Sequence, residues 1–545
     1  MKRARLSALL LPFFLAAACA VGPDYKRPQV EVPKQWTVAP ARGTSTGPPR
    51  SGDWWSSFED PQLDSLIDRA VERNLDLKLA LERVQEARAA TGVARAGVFP
   101  SVDAGASATR IRGGINQGVT RAVPSSADPE ARPSLVSPFE TSVFQGSLGA
   151  SWELDVFGRI RRGVQAAGAD ATAAEENRRD VLVILLGDVG RVYAQLRGYQ
   201  RRLEIADRNI GVQRETLDLT IARASAGLAT ELDVSRAAAQ LESTKAAVPS
   251  LRTGIDVSIH RLSVLVGEEP GALRGELEEA KPIPSAAPDV EIGLPSALLQ
   301  RRPDIRRAEA QLAAATARIG EAKADLFPRF TLTGTAGRQA TQLQDLTLGA
   351  GNFFSFGPGI RIPLFTGGRI RSNIDVQTSR RDAARIRYRS AILNALEEVQ
   401  DALVAYSQEQ ERRDRLNDAV RHSRLAVDLS AEQYKAGLVD FLAVLDAQRN
   451  LYAEEDRLAG SETEVVTDLI ALYRALGGGW AAEPPIFRSG RLPAVLSPDP
   501  ERERADDASR GNLQQDNVEL VAPARHDEQV SPFESPQGGV HHSFR

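Results

Sequence analysis

Residues 159–225 restrict the fold of this chain more than any other stretch, because they read as one very long helix. No proline occurs between Phe139 and Val248, and the stretch is built from Ala, Glu, Arg, Gln and Leu without a cluster of turn residues. Such residues lose little side-chain freedom in a helix. Roughly 65 residues at ~1.5 Å each give a rod of about 100 Å, far longer than an ordinary globular helix.

Two apolar seams run along this helix on adjoining faces. Both have the alternating steps of four and three residues that are typical of a coiled coil. The first seam is Leu182, Leu186, Val189, Tyr193 and Leu196, and the second is Leu185, Val189, Val192, Leu196, Tyr199 and Leu203. A helix with two seams has neighbours on two sides, as in a wall of helices.

The same pattern occurs again in the second half of the chain. The first seam returns 210 residues later (392 − 182) as Ile392, Leu396, Val399, Leu403 and Tyr406. The turn Ala226-Gly227-Leu228 returns as Ala436-Gly437-Leu438. A repeat this long predicts an internal duplication and not a solenoid. Each half then has a return helix, and in the first half we expect Pro249 to break or kink it.

Four segments alternate with a period of two, at about 99–109, 147–157, 327–337 and 353–365. One face includes the polar residues Asp103, Glu153, Thr333 and Arg361. The other face includes Trp152, Leu154, Phe330, Phe354, Phe356 and Ile360. This alternation fits strands that cross a membrane around a polar lumen, or a soluble hairpin packed on a core.

Four strands in lipid cannot stay an open sheet, because unpaired edge groups are costly there. Several chains must therefore contribute strands to one barrel. A homotrimer with twelve strands is the economical solution, although the spacing also allows a dimer or a tetramer.

The N-terminus resembles a bacterial export signal. Lys2 and Arg3 precede an apolar run at residues 6–15, which is too short to span a bilayer, and small residues precede Cys19. The segment is either an ordinary cleaved signal or a lipoprotein signal that leaves an acylated Cys19. A single cysteine excludes an intrachain disulfide framework.

Composition excludes several classes of function. The net charge of −4 carries no basic signature for nucleic acid. The sequence contains no metal-ligand spacing, phosphate-binding loop, dinucleotide fingerprint or nucleophile motif of the common enzyme classes. We therefore expect neither an enzyme nor a cofactor, apart from a covalent lipid on Cys19.

The predicted layout has a signal peptide at 1–18 and an extended lipidated segment with a linker at 19–60. The first repeat covers 61–267 with its long helix at about 159–225, and a connector covers 268–292. The second repeat covers 293–480 with its long helix at about 369–435, and a disordered tail covers 481–545.

Several short motifs carry a resemblance to a known family. They are Cys19 with Gly22-Pro23-Asp24-Tyr25, Trp54-Trp55, Glu153-Leu154-Asp155-Val156-Phe157-Gly158-Arg159, Leu445-Asp446-Ala447-Gln448 and Ala475-Leu476-Gly477-Gly478-Gly479-Trp480. Together with the duplication, they resemble the TolC/OprM-type outer-membrane efflux factors, in particular the NodT-like lipoproteins of resistance-nodulation-division pumps. The resemblance covers residues 19–480.

The resemblance implies a fold, a location and partners. The fold is mainly α, with a trimeric twelve-stranded β-barrel in the outer membrane of a Gram-negative bacterium that continues into a periplasmic α-helical barrel. The partners are a periplasmic membrane-fusion adaptor and an inner-membrane transporter of the resistance-nodulation-division type. The function is an exit duct for drugs or other small toxic compounds.

The resemblance also implies a gate at the two turns, residues 226–230 and 436–440, which we call the tip. Asp446 would form a carboxylate ring in the constriction, and Arg236 stands at the equivalent place in the first repeat. Asp233 and Tyr434 match residues that link neighbouring hairpins. The chain departs from the family where Val439 replaces a linking arginine and Ala443 replaces a second ring aspartate.

Two other functions remain open at this point. A type I secretion duct that exports polypeptides would have a similar sequence, because the pump selects the cargo. A structural coiled-coil lipoprotein would explain Cys19 and the long helices, but not the four alternating strands.

Overall fold

The computed structural model describes residues 20–37, 43–45, 47, 52–113, 139–285, 290–347 and 351–479. The predicted signal peptide (1–18), Cys19, Trp480 and the tail at 481–545 lie outside these ranges. The main elements, labelled in chain order, are α1 Pro61–Arg73, α2 Leu75–Ala96, β1 Ser101–Gly113, β2 Phe139–Leu154, α3 Arg159–Ser225, α4 Glu231–Leu265, α5 Pro303–Ala324, β3 Arg329–Ala340, β4 Asn352–Arg361, α6 Arg369–Lys435 and α7 Phe441–Ala475.

The two longest helices, α3 and α6, contain 67 residues each. Both stop at a glycine in the left-handed region, Gly227 with φ 76° and Gly437 with φ 74°. The following amides, of Leu228 and Leu438, donate to carbonyls five residues earlier. This is the capping pattern that ends a helix on a glycine, and it explains why two such long helices end at matching turns.

The return helices α4 and α7 contain 35 residues each. Thr230 caps α4 and Asp440 caps α7, because each side chain accepts a hydrogen bond from a free amide of the first turn. Of the two effects expected from Pro249, the break does not occur, because α4 continues from Glu231 to Leu265 with Pro249 inside it. The ring removes only one of many backbone hydrogen bonds in a helix of this length.

The helices pack in two rows that share α3 and α6. Near the strands, neighbouring helices pack in the order α2, α3, α5, α6. Helices α2 and α5 contain 22 residues each. Toward the tip, the order is α4, α3, α7, α6. Both rows are open at their two ends within one chain, because neither α2 nor α4 packs extensively against α6 among the described elements.

The four main strands form one antiparallel sheet in the order β1-β2-β3-β4. Strand β1 and strand β4 are its two edges. The connector predicted at 268–292 contains a short helix, Arg274–Leu277, and a short strand, Val290–Glu291, which pairs in parallel with Thr44–Ser45.

All four strands differ in their ends from the sequence expectation. Strand β2 begins earlier than 147 and ends at Leu154 instead of 157, while β1 and β3 run three or four residues further than expected. The reason for the end of β2 is Asp155, whose carboxylate accepts hydrogen bonds from the amides of Ile160 and Arg161 (3.0 and 2.9 Å). It therefore belongs to the start of α3 and not to the sheet. Strand β4 ends at Arg361 instead of 365.

Burial confirms the first predicted seam and its copy in α6, whereas Tyr199 and Leu203 of the second seam are only partly buried. Every member of the first seam and of its copy in α6 lies in one apolar core, together with Trp54, Leu262, Ile305 and Leu469. Among the described residues, none of the helices combines the length and apolar character of a membrane-spanning helix.

Candidate functional site

The register of the sheet puts the predicted polar and apolar sets on opposite faces. Residues that pair across neighbouring strands share a face. Ser151 pairs with Thr333 and Glu153 pairs with Thr331, while Arg329 pairs with Arg361. Asp103, Glu153, Thr333 and Arg361 therefore lie on one face of the sheet.

The opposite face is apolar and largely exposed in the described part of the chain, with Phe157 packed beside Phe330 at one end. It carries Trp152, Leu154, Phe330, Phe354, Phe356 and Ile360. Phe354 is 85% exposed and Phe356 is 73% exposed. An exposed apolar face of this extent indicates contact with lipid or with another chain.

The polar face of the sheet is bonded to α3 where β2 ends and α3 begins. Arg159 donates two hydrogen bonds to the carboxylate of Glu153 (2.9 and 2.8 Å). The bidentate geometry holds the end of β2 against the first turn of α3. Sequence reasoning treated Glu153 only as a polar strand residue and missed this pairing.

Residues 20–37, which we call the strap, run in extended form along the helices. The amide of Val21 donates to the carbonyl of Phe157 (3.1 Å), so the strap starts at the junction of β2 and α3. Glu309 of α5 accepts from Tyr25 and Arg27, and Trp36 donates to the carbonyl of Gly293 (2.9 Å). The strap therefore connects the end of the sheet to the connector.

Glycine allows the strap to cross α5. Gly22 has φ 100° and lies against Gly320, where a side chain on Gly22 would collide with the backbone of Gly320. The buried side chain of Arg162 donates to the carbonyls of Val21 and Gly22 and pairs with Asp24 (2.9 Å).

The predicted gate residues Asp446 and Arg236 do not meet in one chain. Asp446 is half exposed and pairs with Arg449 of its own helix (3.2 Å). No ion pair joins it to Arg236 within the described residues of one chain. The opposite charges expected at one level of the tip therefore remain a prediction for the assembled protein.

The other two predicted gate residues have contacts of different kinds. Asp233 accepts hydrogen bonds from the amide and the hydroxyl of Thr230 (3.1 and 2.7 Å), so it closes the cap of its own helix. The Tyr434 ring lies under the guanidinium of Arg223, 4.4 Å from its centre, and beside Phe441. Arg223 lies in the last turn of α3 and Tyr434 in the last turn of α6, so this contact links the two hairpins near the tip.

Glu455 of α7 is a further linking residue that sequence reasoning missed. Its side chain is 7% exposed and accepts hydrogen bonds from Arg208 of α3 and Arg424 of α6, both at 2.7 Å. Burial alone would raise the pKa of Glu455, but the two guanidinium groups outweigh it and hold the pKa below its ordinary value. The only sequence signal was a Glu at helical-surface spacing, which does not tell an inward carboxylate from an outward one.

Asp468 of α7 has the opposite environment. Partial burial and the nearby carboxylates of Glu464 and Glu409 raise the pKa of Asp468 to about 6. This carboxylate therefore titrates near neutral pH in the folded protein.

Comparison with known proteins identifies the class to which this fold belongs. The family model described as "Outer membrane efflux protein" matches residues 66–268 and 294–478. The chain is thus a member of the outer membrane efflux protein family, a family of channels located in the outer membrane of Gram-negative bacteria.

Individual relatives agree with this assignment. Nodulation protein T of Rhizobium leguminosarum bv. trifolii is 32% identical over 488 residues, 89% of this chain and 100% of the relative. Toluene efflux pump outer membrane protein TtgI of Pseudomonas putida is 32% identical and covers 86% of this chain and 98% of the relative. The solved structure of the outer-membrane channel OprN is similar with a TM-score of 0.76 and 35% identity, covering 85% of this chain and all of that chain.

Proposed function

We propose that three copies of this chain form the exit duct of a tripartite efflux system. The observation that carries the proposal is that one chain leaves two open edges at each of three levels. These levels are the sheet, the helical row near the strands and the helical row toward the tip. One edge always belongs to the first half of the chain (β1, α2 or α4) and the other to the second half (β4 or α6). Edges of this kind join head to tail, and such a contact closes into a ring when the rotation allows it.

Three chains of four strands would give a twelve-stranded barrel. Closure would pair β4 of one chain with β1 of the next, so no strand edge is left unpaired in lipid. The polar face with Asp103, Glu153, Thr333 and Arg361 would line the lumen and the aromatic face would meet lipid. An internal duplication is supported by the equal lengths of the corresponding helices, which are 22, 67 and 35 residues in each half. On this proposal the two repeats are 61–267 and 293–480.

The two helical edges near the sheet match one another in height. Counted from the helix ends nearest the sheet, Ala96 of α2 and Arg369 of α6, the exposed apolar residues stand at similar distances from the sheet. They are Val93, Leu79 and Leu75 of α2 and Val376, Ile386 and Leu393 of α6. These six side chains are the exposed apolar residues that a neighbouring chain would cover.

Charges on the same two edges are complementary. Glu82 and Glu86 are exposed one turn apart on α2, and Arg385 and Arg389 are exposed one turn apart on α6. Contact of α2 with the α6 of the next chain would therefore join apolar residues to apolar residues and carboxylates to guanidinium groups.

We assign the lipid anchor to Cys19. Ala20 lies against Gly158 and Val21 is hydrogen-bonded to Phe157, so residue 20 stands where the sheet meets the helices. An acyl chain on the preceding residue would reach the nearest lipid leaflet without stretching the strap.

The tip is the proposed gate. In a trimer six hairpins converge there, and the ring of Asp446 would face the narrowest part of the lumen with Arg236 near it. Asp233 and Tyr434 would stabilise the closed tip, with Arg223 as the contact of Tyr434.

The cargo is proposed to be small toxic compounds, including apolar ones, because relatives are named as solvent, toluene and antibiotic efflux proteins. The duct would receive them from an inner-membrane pump of the resistance-nodulation-division type through a periplasmic adaptor. It needs no cofactor besides the lipid on Cys19.

A planar-bilayer experiment tests the duct. The purified trimer should conduct ions, and cells with its pump and adaptor should lose toluene tolerance when the chain is deleted. Cys19→Ser should remove the acyl group but leave conductance unchanged, because the barrel alone keeps the protein in the membrane. A rod-like protein without conductance would contradict the proposal.

A further inference from the structure

The contact between α3 and α7 changes character along its length. The main apolar core ends at Leu196 on α3 and Val465 on α7, and the buried apolar residues nearer the tip, such as Ile205 and Ala459, lie outside it. Arg202 then forms a bidentate pair with Asp456, with N–O distances of 2.7 and 2.9 Å. Next to it, the buried carboxylate of Glu455 binds α3 and α6 together.

Below Glu455 the contact includes polar groups that are incompletely bonded, although α7 also buries Val444 in this section. Gln448 of α7 donates to the hydroxyl of Thr216 on α3 (3.1 Å), but its carbonyl oxygen is buried without a hydrogen-bond partner among the described residues. Gln213 is only 3% exposed, and neither its amide oxygen nor its nitrogen has a partner there. Since Asn209 lies beside Glu455 and Thr216 beside Gln448, Gln213 stands between these two levels.

Buried amide groups without partners weaken a contact, because they have lost their hydrogen bonds to water and gained none. This section of the α3–α7 contact therefore costs less to open than the section above it. When the helices part, water can reach Gln213 and Gln448 and satisfy the free groups.

We propose that Glu455 is a positioning residue that marks the fulcrum of the tip, which is the level where the separation of the two hairpins stops. On the proposed function as a duct, the first and second hairpins of each chain separate along α3 and α7 below Glu455. They stay joined at Glu455 and above it. The moving section of α7, from Glu455 to the start of the helix at Phe441, is about 20 Å long.

Two other motions make different predictions. If both hairpins swing together from a point nearer the sheet, α3 and α7 never separate. If the fulcrum lies above Glu455, the helices part at the level of Gly198 as well.

Two engineered disulfides distinguish these motions in a chain whose only natural cysteine is Cys19. Thr216→Cys with Gln448→Cys lies below Glu455, where the parent side chains are 3.1 Å apart. Gly198→Cys with Thr463→Cys lies above it, where a Cβ at residue 198 would stand 3.1 Å from the Cβ of Thr463. The upper pair is close enough for a disulfide after small adjustments. The 3.1 Å at the lower pair joins side-chain ends and not Cβ atoms, so if the direct bond does not form, a short bis-methanethiosulfonate linker, which a reductant also cleaves, joins the same two cysteines.

The readout is ethidium efflux from cells that hold the duct, its adaptor and its pump, with disulfide formation scored by mass spectrometry. The lower disulfide should abolish efflux, and a reductant should restore it. The upper disulfide should leave efflux within about twofold of the parent. Normal efflux with both disulfides, or loss of efflux with both, would overturn the fulcrum.

A second measurement needs no pump. Glu455→Gln should raise the closed-state conductance of the purified trimer severalfold, because a neutral amide holds two guanidinium groups poorly. Glu454→Gln is the matched control, since Glu454 pairs only with Arg457 of its own helix among the described residues. Equal conductance of the two variants would overturn the role of Glu455. A parent trimer that does not conduct would instead contradict the proposed function.

Discussion

The guanidinium of Arg223 lies 4.4 Å from the centre of the Tyr434 ring, and this contact joins the ends of the two hairpins of one chain. An interaction of a cation with an aromatic ring is worth about 0.5–1 kcal/mol at an exposed site. Three copies in a symmetric ring would bias the tip toward its closed form. The contact uses the face of the ring and not the hydroxyl.

Loss of this contact should therefore open the tip. We expect Tyr434→Leu and Arg223→Gln each to raise the closed-state conductance of the trimer in single-channel recordings. Tyr434→Phe should have no effect, because the ring is retained. An increase in Tyr434→Phe equal to that in Tyr434→Leu would mean that the hydroxyl makes the link.

Asp446 should set ion selectivity. Asp446→Ala should lower the preference of the channel for cations, measured as a shift of reversal potential in a salt gradient. Arg449→Ala should raise that preference, because it removes the charge that pairs with Asp446 at 3.2 Å. An unchanged reversal potential in both variants would place the narrowest part of the lumen elsewhere.

Two neighbouring residues of β3 test the direction of the sheet. Leu332 pairs with Trp152 on the apolar face, and Thr333 lies on the polar face. A lysine on the lipid face near the bilayer midplane costs roughly 2–4 kcal/mol, so Leu332→Lys should reduce the yield of heat-resistant trimer far more than Thr333→Lys. Equal tolerance would show that the apolar face does not meet lipid.

Charge reversal tests the contact between chains. Glu82→Arg with Glu86→Arg should destabilise the trimer, because arginines would then face Arg385 and Arg389 of the next chain. Adding Arg385→Glu and Arg389→Glu should restore it, as judged by thermal dissociation of the trimer. Glu72→Arg, an exposed change on α1, should leave dissociation unchanged. Failure of the second pair to restore the trimer would place the contact on other residues.

Asp468 should make stability depend on pH. Its pKa in the folded protein is about 6, above the ordinary value of 3.8, so the folded state disfavours the charged form. The resulting loss of stability is complete above about pH 6 and disappears as the pH falls below about 4. Asp468→Asn should raise the unfolding free energy by about 1 kcal/mol at pH 7.5, after allowance for solvent screening.

Thermal unfolding of the parent and the variant at pH 7.5 and pH 4 measures this effect. The gain in melting temperature should be present at pH 7.5 and absent at pH 4. Asp418→Asn, at an exposed aspartate of α6, should show no gain at either pH. A gain for Asp468→Asn that is the same at both pH values would mean that packing, and not charge, is responsible.

Local rules were enough to predict the long helices and the strand faces. Helix formers without proline extend a helix until a glycine turn stops it, and α3 indeed ends at Ser225 just before Gly227. The alternation of the strands assigned Asp103 and Phe354 to their faces, because side chains on a strand alternate strictly. The repeat made the second half predictable from the first.

Local rules were not enough where a residue had two available partners. Asp155 continued the alternation of β2, yet its carboxylate caps α3, because free amides at a helix start attract a nearby carboxylate. Asp233 accepts hydrogen bonds from the amide and hydroxyl of Thr230, at the cap of its own helix. The sequence alone could not show whether its carboxylate bonds there or to a neighbouring hairpin.

The sequence by itself determined the length of the helices, the places where they end, the two faces of the sheet and the family. These properties depend on neighbours within one or two turns, which the order of residues specifies directly. The tertiary structure alone decided which charges turn inward. Glu455 and Glu454 are adjacent in the chain, but only Glu455 contacts Arg208 and Arg424, because α3 and α6 both pack against its side of α7.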